Sequence, residues 1–257
     1  MTTTLRIDIN ADAGESYGPW RMGADEALFP SLTSVNVACG FHAGDPGTMR
    51  RTVALAREHG VAVGAHPGFP DRDGFGRRDL AMSPKELYEA VLYQLGGLEA
   101  FLRPDGARLH HVKPHGALHH RIVRDEEAAA AVAAAIRAYD PELPFVVLGG
   151  PGGAGMRRAA EAAGLPVVLE AFPDRGYLAS GRLAPRGSEG AMIHDPAEAG
   201  ARAVRMVAGE DLATVDGGTT RLEAQTLCIH GDGPTAPQVA AAVREALTDA
   251  GVDVRAF

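Results

Sequence analysis

The 257-residue chain has little of several features that would place it in a specialised class. Its two cysteines, Cys39 and Cys228, are too few for a disulfide framework, which fits the reducing cytoplasm. Its net charge of -8 argues against a surface for nucleic acid or for an anionic membrane. No apolar run is long enough to span a bilayer, and no apolar signal region opens the chain. We therefore expect a cytoplasmic protein that binds neither nucleic acid nor membrane.

Linkers, repeats and common site motifs are also missing. No low-complexity stretch or run of like charge divides the chain, so we expect one domain over residues 1–257. The sequence contains neither the phosphate-binding pattern G-x-x-x-x-G-K-[ST] nor the zinc pattern H-E-x-x-H. Hydrophobic residues make up 46% of the chain, which is enough for one sizeable core.

Apolar runs of strand length alternate with helical patterns along the whole chain. The candidate strands, the last of them weak, cover residues 5–9, 33–38, 61–65, 109–113, 145–148, 167–170, 226–229 and 252–254. Repeated βα units with short connections imply parallel strands joined by right-handed crossovers. The pattern predicts an α/β fold, a single-domain irregular (β/α) barrel of about seven parallel strands.

Polar side chains gather where these strands end. Six of the seven stronger candidates carry ionisable or amide residues at or just beyond their carboxyl ends, among them Asn10, Asp12, Glu15, Asn36, His42, Asp45, His66, Lys113, His115, Arg175, His230 and Asp232. The carboxyl ends of the strands of a (β/α) barrel meet on one face, where active sites lie. If the barrel closes, these groups share one pocket.

The segment 36–46 is the densest of these strand ends. It places Asn36, Cys39, His42 and Asp45 in one turn, and Asp45 is also positioned to cap the helix that begins at Pro46. Cys39 has two interpretations, a nucleophile beside His42 or a small buried core residue. A turn that only reverses the chain does not need this combination of groups.

Taken in order, segments 8–15, 36–45, 64–67, 69–72, 75–78, 112–116, 174–177 and 230–232 resemble the LamB/YcsF family. The resemblance implies a seven-stranded barrel similar to the glycoside hydrolase/deacetylase superfold. It also implies ATP-dependent hydrolysis of 5-oxo-L-proline (pyroglutamate) to L-glutamate, with release of ADP and phosphate. Two further 5-oxoprolinase subunits, B and C, are implied as partners. The chain departs from the family pattern at His119, where an aromatic residue such as Tyr is expected.

The chemistry of these side chains suits such a reaction. The candidate catalytic residues are Asp12, His42, Asp45, His66, Lys113 and His115, and the candidate substrate-binding residues are Asn10, Glu15, Asn36, Arg175, His230 and Asp232. Imidazoles can transfer protons near pH 7, and cationic side chains can hold phosphate or carboxylate groups. Carboxylates can orient an imidazole or bind Mg²⁺.

Nucleotide and metal binding each leave alternatives open. Gly150, Gly152 and Gly153 follow a strand and open a helix, so their N–H groups can cradle a phosphate, but the lysine and hydroxyl partners of a phosphate loop are missing, which favours a plain βα turn. Asp12, His42 and His66 can hold a divalent transition metal, as in deacetylases with a similar barrel, or can act without metal. Two other functions therefore stay open: a metal-dependent amide or carbohydrate hydrolase that uses no nucleotide, and a non-catalytic substrate-binding subunit.

Overall fold

The structure is a computed structural model that describes residues 5–230 and 235–257. Its strands in these ranges are β1 (Arg6–Ala13), β2 (Ser34–Ala38), β3 (Ala62–His66), β4 (Phe145–Leu148), β5 (Val167–Ala171), β6 (Asp211–Ala213), β7 (Thr219–Arg221), β8 (Thr226–Ile229) and β9 (Asp253–Val254). Its helices are α1 (Asp25–Leu28), α2 (Pro46–His59), α3 (Pro84–Leu102), α4 (Gly116–Arg124), α5 (Glu126–Tyr139), α6 (Ala154–Ala162), α7 (Pro196–Val207) and α8 (Ala236–Asp249). None of the helices described is long and apolar enough to cross a membrane.

Parallel strands in the order β3-β2-β1-β8-β5-β4 form the main sheet. The segment 109–113 joins its two edges, because Val112 forms parallel bridges with Ala65 of β3 and Phe145 of β4. The Ala65 N–H donates to the His111 carbonyl at 2.8 Å, and the Val112 N–H donates to the Pro144 carbonyl at 2.9 Å. These hydrogen bonds close a ring of seven parallel chain segments, which confirms the predicted irregular barrel.

Three details differ from the sequence prediction. β1 continues four residues beyond the predicted end, to Ala13, because Asn10 and Asp12 face the barrel interior and find partners there. The segment 109–113 pairs with its neighbours through Val112 without forming a regular strand. A short antiparallel hairpin, β6–β7, lies outside the barrel and was not predicted. The weak candidate at 252–254 pairs with β1 as the two-residue strand β9.

The two faces of β1 have opposite chemistry. Ile7 and Ile9 belong to the apolar core between the strands and the surrounding helices. Asp8 and Asn10 alternate with them and are fully buried inside the barrel. Asp8 accepts a hydrogen bond from the Ser34 hydroxyl at 2.8 Å. The interior of this barrel is therefore polar, whereas most such barrels are filled by layers of branched apolar side chains.

Gly64 of β3 makes room for one of these interior groups. The imidazole of His111 occupies the place where a side chain at position 64 would begin, and its Nε2 donates to Asn36 Oδ1 at 2.7 Å. Interior packing leaves no space to move the ring aside. The absence of a side chain at this strand position is thus a packing requirement.

We expect Gly64→Ala to lower the melting temperature markedly, because a methyl group there overlaps the His111 ring. Gly97→Ala is the matched control, since Gly97 lies within α3 with open space around it. That change should leave stability unchanged or raise it by up to about 1 kcal/mol. Thermal unfolding followed by circular dichroism measures both. A Gly64→Ala protein as stable as the control would contradict the packing described.

Candidate active site

A pocket of about 270 Å³ opens at the carboxyl ends of the barrel strands. Seven of the side chains singled out from the sequence line it, namely Asp12, Glu15, His66, Lys113, His115, Arg175 and His230. They lie in β1, β3 and the segment 109–113, or in the loops that follow β1, this segment, β5 and β8. The closed barrel thus brings together groups that are up to 218 residues apart (230 minus 12) in the chain.

Lys113 lies at the bottom of the pocket and is 4% exposed. Its ammonium is 3.0 Å from Asp12 Oδ1 and 3.1 Å from Glu170 Oε1. It also donates to the Cys228 sulfur at 2.8 Å. Burial alone would lower the pKa of Lys113, but Asp12, Cys228 and Glu170 together outweigh this effect and hold the pKa well above its usual value. Lys113 is therefore a fixed positive charge inside the barrel.

The two carboxylates beside Lys113 differ in their acidity. Burial opposes ionisation of Asp12, but His66 and Lys113 together hold its pKa well below the usual value. Burial dominates at Glu170 and raises its pKa, in spite of the opposing effect of Lys113. Asp12 is therefore the stable anionic partner of Lys113, whereas Glu170 is the carboxyl group more easily protonated. The sequence interpretation did not include Glu170 among the site residues.

Asn10 and Asn36 lie beneath the pocket and do not line it. The Asn36 amide donates to Asp12 Oδ1 at 2.9 Å and to Asn10 Oδ1 at 2.7 Å. The Asn10 amide donates to Glu170 Oε1 at 3.0 Å. The structure thus uses both amides to orient the carboxylates around Lys113, which differs from the substrate contact expected from the sequence. Their place within the strands is the reason: Asn10 lies two residues before Asp12 on β1, and Asn36 is paired directly with Asp12 across β1 and β2.

A second group of side chains, Glu15, His42, His66 and His115, forms what we call the His/Glu cluster. One potential ligand atom from each of its four residues lies within 4.8 Å of the others, and all four residues are buried. A cluster of this composition can bind a metal ion. The expected set of Asp12, His42 and His66 is only partly gathered, because Asp12 lies outside the cluster, with its Oδ2 3.3 Å from His66 Nε2.

Two glycines shape the space around His42. The ring of His42 stacks on that of His115, with 3.8 Å between centroids and an interplanar angle of 2°. A Cβ atom at Gly68 would lie 2.5 Å from His42 Nδ1, and one at Gly76 would lie 2.7 Å from His42 Cβ. Burial lowers the pKa of His42 well below its usual value and that of His115 to about 3. Both imidazoles are therefore neutral near pH 7.

His230 and Asp174 form an acid–base pair at one side of the pocket. Both the backbone N–H and the ring Nδ1 of His230 contact Asp174 Oδ2, at 2.9 and 2.8 Å. Burial opposes ionisation of Asp174, but His230 outweighs it and holds the pKa of this carboxyl below its usual value. The sequence interpretation included His230 and missed Asp174, although Asp174 begins one of the segments that resemble the family. Asp232 lies outside the described residues.

Two predicted residues have their polar groups engaged by the protein itself. Arg175 lines the pocket, but its guanidinium donates to the backbone carbonyls of Ala191 and Ala184, at 2.9 and 2.7 Å. Asp45 caps α2 by accepting from the Thr48 N–H at 2.8 Å, and it also accepts from the Gly18 N–H at 2.7 Å. Asp45 is not among the pocket-lining residues. The structure thus gives it a capping role in place of the expected catalytic one.

The glycine-rich turn after β4 is explained by close packing. A side chain at Gly152 would lie 2.6 Å from the Gly181 carbonyl, and one at Gly153 would overlap the Leu148 carbonyl. Gly150 has a positive φ of 74°. None of the three lines the central pocket. Nucleotide binding at this turn stays a prediction.

His119 occupies the position where an aromatic residue was expected. Its ring lines the pocket beside His120. Shielding from water lowers the pKa of His119, so the ring is neutral near pH 7. A neutral imidazole is planar like an aromatic side chain, and it adds hydrogen-bonding nitrogens to that wall of the pocket.

Comparisons with known proteins agree with this architecture. The family model for the LamB/YcsF family matches residues 7–257. The chain belongs to the LamB/YcsF family. It is 58% identical to a relative from Thermus thermophilus that is named as the A subunit of 5-oxoprolinase, over 98% of this chain and 100% of that protein. A relative of the same name from Deinococcus radiodurans is 53% identical, over 98% of this chain and 97% of the other.

A solved structure shows the same fold in another family member. The crystal structure of a protein called lactam utilization protein, also from Thermus thermophilus, superposes with a TM-score of 0.93 at 57% sequence identity. The match covers 98% of this chain and 100% of the other.

The capping role of Asp45 can be tested by substitution. We expect Asp45→Ala to lower the free energy of unfolding by about 1 kcal/mol, because the first turn of α2 loses its acceptor. Asp45→Asn should lose less, since an amide oxygen can still cap the helix. Urea denaturation of the three proteins measures this order. Equal stability of all three would contradict the capping role.

Proposed function

We propose that the chain is the A component of a multi-subunit 5-oxoprolinase and that its pocket is where 5-oxo-L-proline is hydrolysed to L-glutamate. The observation that carries the proposal is the buried Lys113 ammonium, paired with Asp12 at the bottom of a pocket at the strand ends. The chain is 58% identical to a protein named as the A subunit of 5-oxoprolinase. In such a chain we propose that the Lys113 ammonium acts on the neutral amide of the lactam ring.

The proposed substrate is small and carries one carboxylate and one lactam carbonyl. A pocket of about 270 Å³ suits a ligand of this size. We place the lactam oxygen toward Lys113, whose ammonium can offset negative charge on it. The guanidinium groups of Arg77 and Arg186 also line the pocket and can hold the carboxylate through paired N–H donors.

A five-membered lactam reacts slowly with water, and phosphorylation by ATP would make its ring carbon more reactive. In the proposed sequence the lactam oxygen attacks the γ-phosphoryl group and ADP leaves. Water then adds to the ring carbon of the resulting imidate-like phosphate, and the C–N bond breaks to leave a free amine and an acyl phosphate. A second water hydrolyses the acyl phosphate to the carboxylate of L-glutamate and free phosphate. Such a reaction needs cations near the phosphoryl oxygens and exclusion of bulk water. The depth of Lys113 in the barrel meets the second need.

The proton transfers require an acid–base group beside the ring. Asp174 holds Nδ1 of His230, so the Nε2 nitrogen is left to exchange a proton with water or with the ring nitrogen. This geometry is that of a carboxylate that orients an imidazole for proton transfer. We propose His230 for this role and Asp174 as the residue that positions it.

We propose that ATP binds only in the complex of this chain with subunits B and C. The central pocket is small for a nucleotide, so we propose that ATP binds with its Mg²⁺ ion where subunits B and C meet this pocket. The turn at Gly150, Gly152 and Gly153 stays a candidate for a phosphate contact. Both cysteines are buried and free, in keeping with the proposed cytoplasmic location.

One observation favours a second candidate function. The His/Glu cluster can hold a metal ion, which a hydrolase that cleaves amides without nucleotide would use to activate water. The two functions differ in what they consume. Formation of glutamate from 5-oxoproline in the absence of ATP would favour the second.

We expect Lys113→Met to reduce 5-oxoproline turnover at least about 100-fold in the assembled enzyme, because one positive charge at the developing oxyanion is lost. Glutamate formation and phosphate release are measured with the chain alone and then with subunits B and C. Lys85→Met is the control, since Lys85 is exposed on α3 and outside the pocket. Full activity of Lys113→Met in the assembly would indicate a substrate-binding subunit. No 5-oxoproline-dependent phosphate release in either mixture would overturn the proposal.

Asp174→Asn tests the acid–base pair. We expect a loss of turnover of about 100-fold or more with little change in folding, because the amide no longer holds His230 in the required tautomer. Asp249→Asn is the control, as Asp249 is exposed at the end of α8. Turnover is compared with circular dichroism of each protein. Equal activity of the two variants would remove His230 from the mechanism.

A further inference from the structure

We propose that the His/Glu cluster binds one divalent transition-metal ion of the zinc type. This inference concerns the chain alone and goes beyond the proposed lactam reaction, since the ion would bind whether or not 5-oxoproline is turned over. Three observations carry it: the tautomers of two histidines, the surroundings of a third, and the spacing of the donor atoms.

Backbone carbonyls fix the tautomers of His66 and His115. His66 Nδ1 is 2.7 Å from the Lys113 carbonyl, and His115 Nε2 is 2.8 Å from the Phe75 carbonyl. A carbonyl oxygen can only accept a hydrogen bond, so each of these nitrogens carries a hydrogen. In neutral rings the other two nitrogens, His66 Nε2 and His115 Nδ1, then present lone pairs to each other.

Those two nitrogens are only 2.9 Å apart. Two lone pairs at this separation repel unless an electron-pair acceptor lies beside them. The acceptor is either a metal ion or a proton that converts one ring to imidazolium. Carbonyl-anchored imidazoles with their lone pairs on a common point are the usual arrangement of histidine ligands in metal sites.

His42 decides between these acceptors. Its side chain is buried, yet neither ring nitrogen has a hydrogen-bond partner among the described residues. Buried polar atoms without partners are rare, and an ion is one of the recognised explanations for them. A proton shared between His66 and His115 leaves His42 unexplained. A metal ion that His42 also binds explains all three imidazoles at once.

The donor spacing and chemistry indicate the class of ion. Ligand atoms around a tetrahedral zinc ion lie roughly 3.3–3.5 Å apart, given bonds of about 2.0–2.1 Å. In the cluster, Glu15 Oε1 is 3.5 Å from His42 Nε2 and 3.6 Å from His115 Nδ1, close to this spacing, whereas His66 Nε2 and His115 Nδ1 are closer together at 2.9 Å. Three imidazoles and one carboxylate suit Zn²⁺ and similar late divalent ions, whereas Mg²⁺ prefers oxygen ligands and retained waters.

The test is a direct measurement of metal on the full chain. The protein is purified without an affinity tag, stripped with a chelator and titrated with Zn²⁺ in a calorimeter, and with Co²⁺ for absorption spectroscopy. We expect one tight equivalent of Zn²⁺, a higher melting temperature with zinc, and the visible absorption bands of Co²⁺ bound by nitrogen and oxygen in a low-symmetry site.

His42→Gln is the decisive variant, and His59→Gln is its matched control because His59 is exposed at the end of α2. Loss of a direct ligand should weaken zinc binding by more than the roughly 10–100-fold typical of outer partners, whereas the control should bind as the parent does. If His42→Gln fails to fold, Glu15→Gln serves in its place. A folded parent chain that binds no zinc, or variants that bind it as tightly as the parent, would overturn the inference. Neither result would bear on lactam turnover, which is assayed separately.

Discussion

The ion pair between Lys113 and Asp12 is the interaction on which the rest of the site depends. Removing one partner from a buried pair typically costs about 3–5 kcal/mol, because the other charge remains in a dry environment. The 3.0 Å contact of these two groups therefore has to be supported from every side. Glu170, Asn10 and Asn36 supply that support, and each belongs to a barrel strand.

This requirement explains why the barrel has a polar interior. Stability comes from the apolar layer between strands and helices, where residues such as Ile9 and Val35 are fully buried. The interior is left to amides, hydroxyls and carboxylates that satisfy one another, as in the contact between Asp8 and Ser34. A hydrogen-bonded network of this kind holds charged groups in fixed positions, which is what preorganised catalysis requires.

The sequence predicted the barrel well because its strands and helices follow strong local patterns. It also predicted that Asp12, His66, Lys113 and His115 share a pocket, since all follow strands that end on one face. The segment 109–113 was predicted as a strand, but only tertiary pairing through Val112 gives it that role. The local strand propensity of a segment does not predict which strands it pairs with when the barrel closes.

The differences between the expected and the observed site have a common physical cause. The type of a residue does not determine which groups its side chain contacts in the folded chain. Asp45 had the right chemistry for catalysis, but its oxygens are taken by backbone N–H groups at the start of α2. Glu170 and Asp174 were missed because one lies inside an apolar strand and the other in a loop, and only the fold brings them to Lys113 and His230.

The most direct test of the proposed role of Lys113 is a crystal structure of the chain with 5-oxoproline bound. We expect the lactam oxygen within hydrogen-bond distance of the Lys113 ammonium; a ligand bound away from the strand ends, with Lys113 contacted by protein groups alone, would contradict the claim.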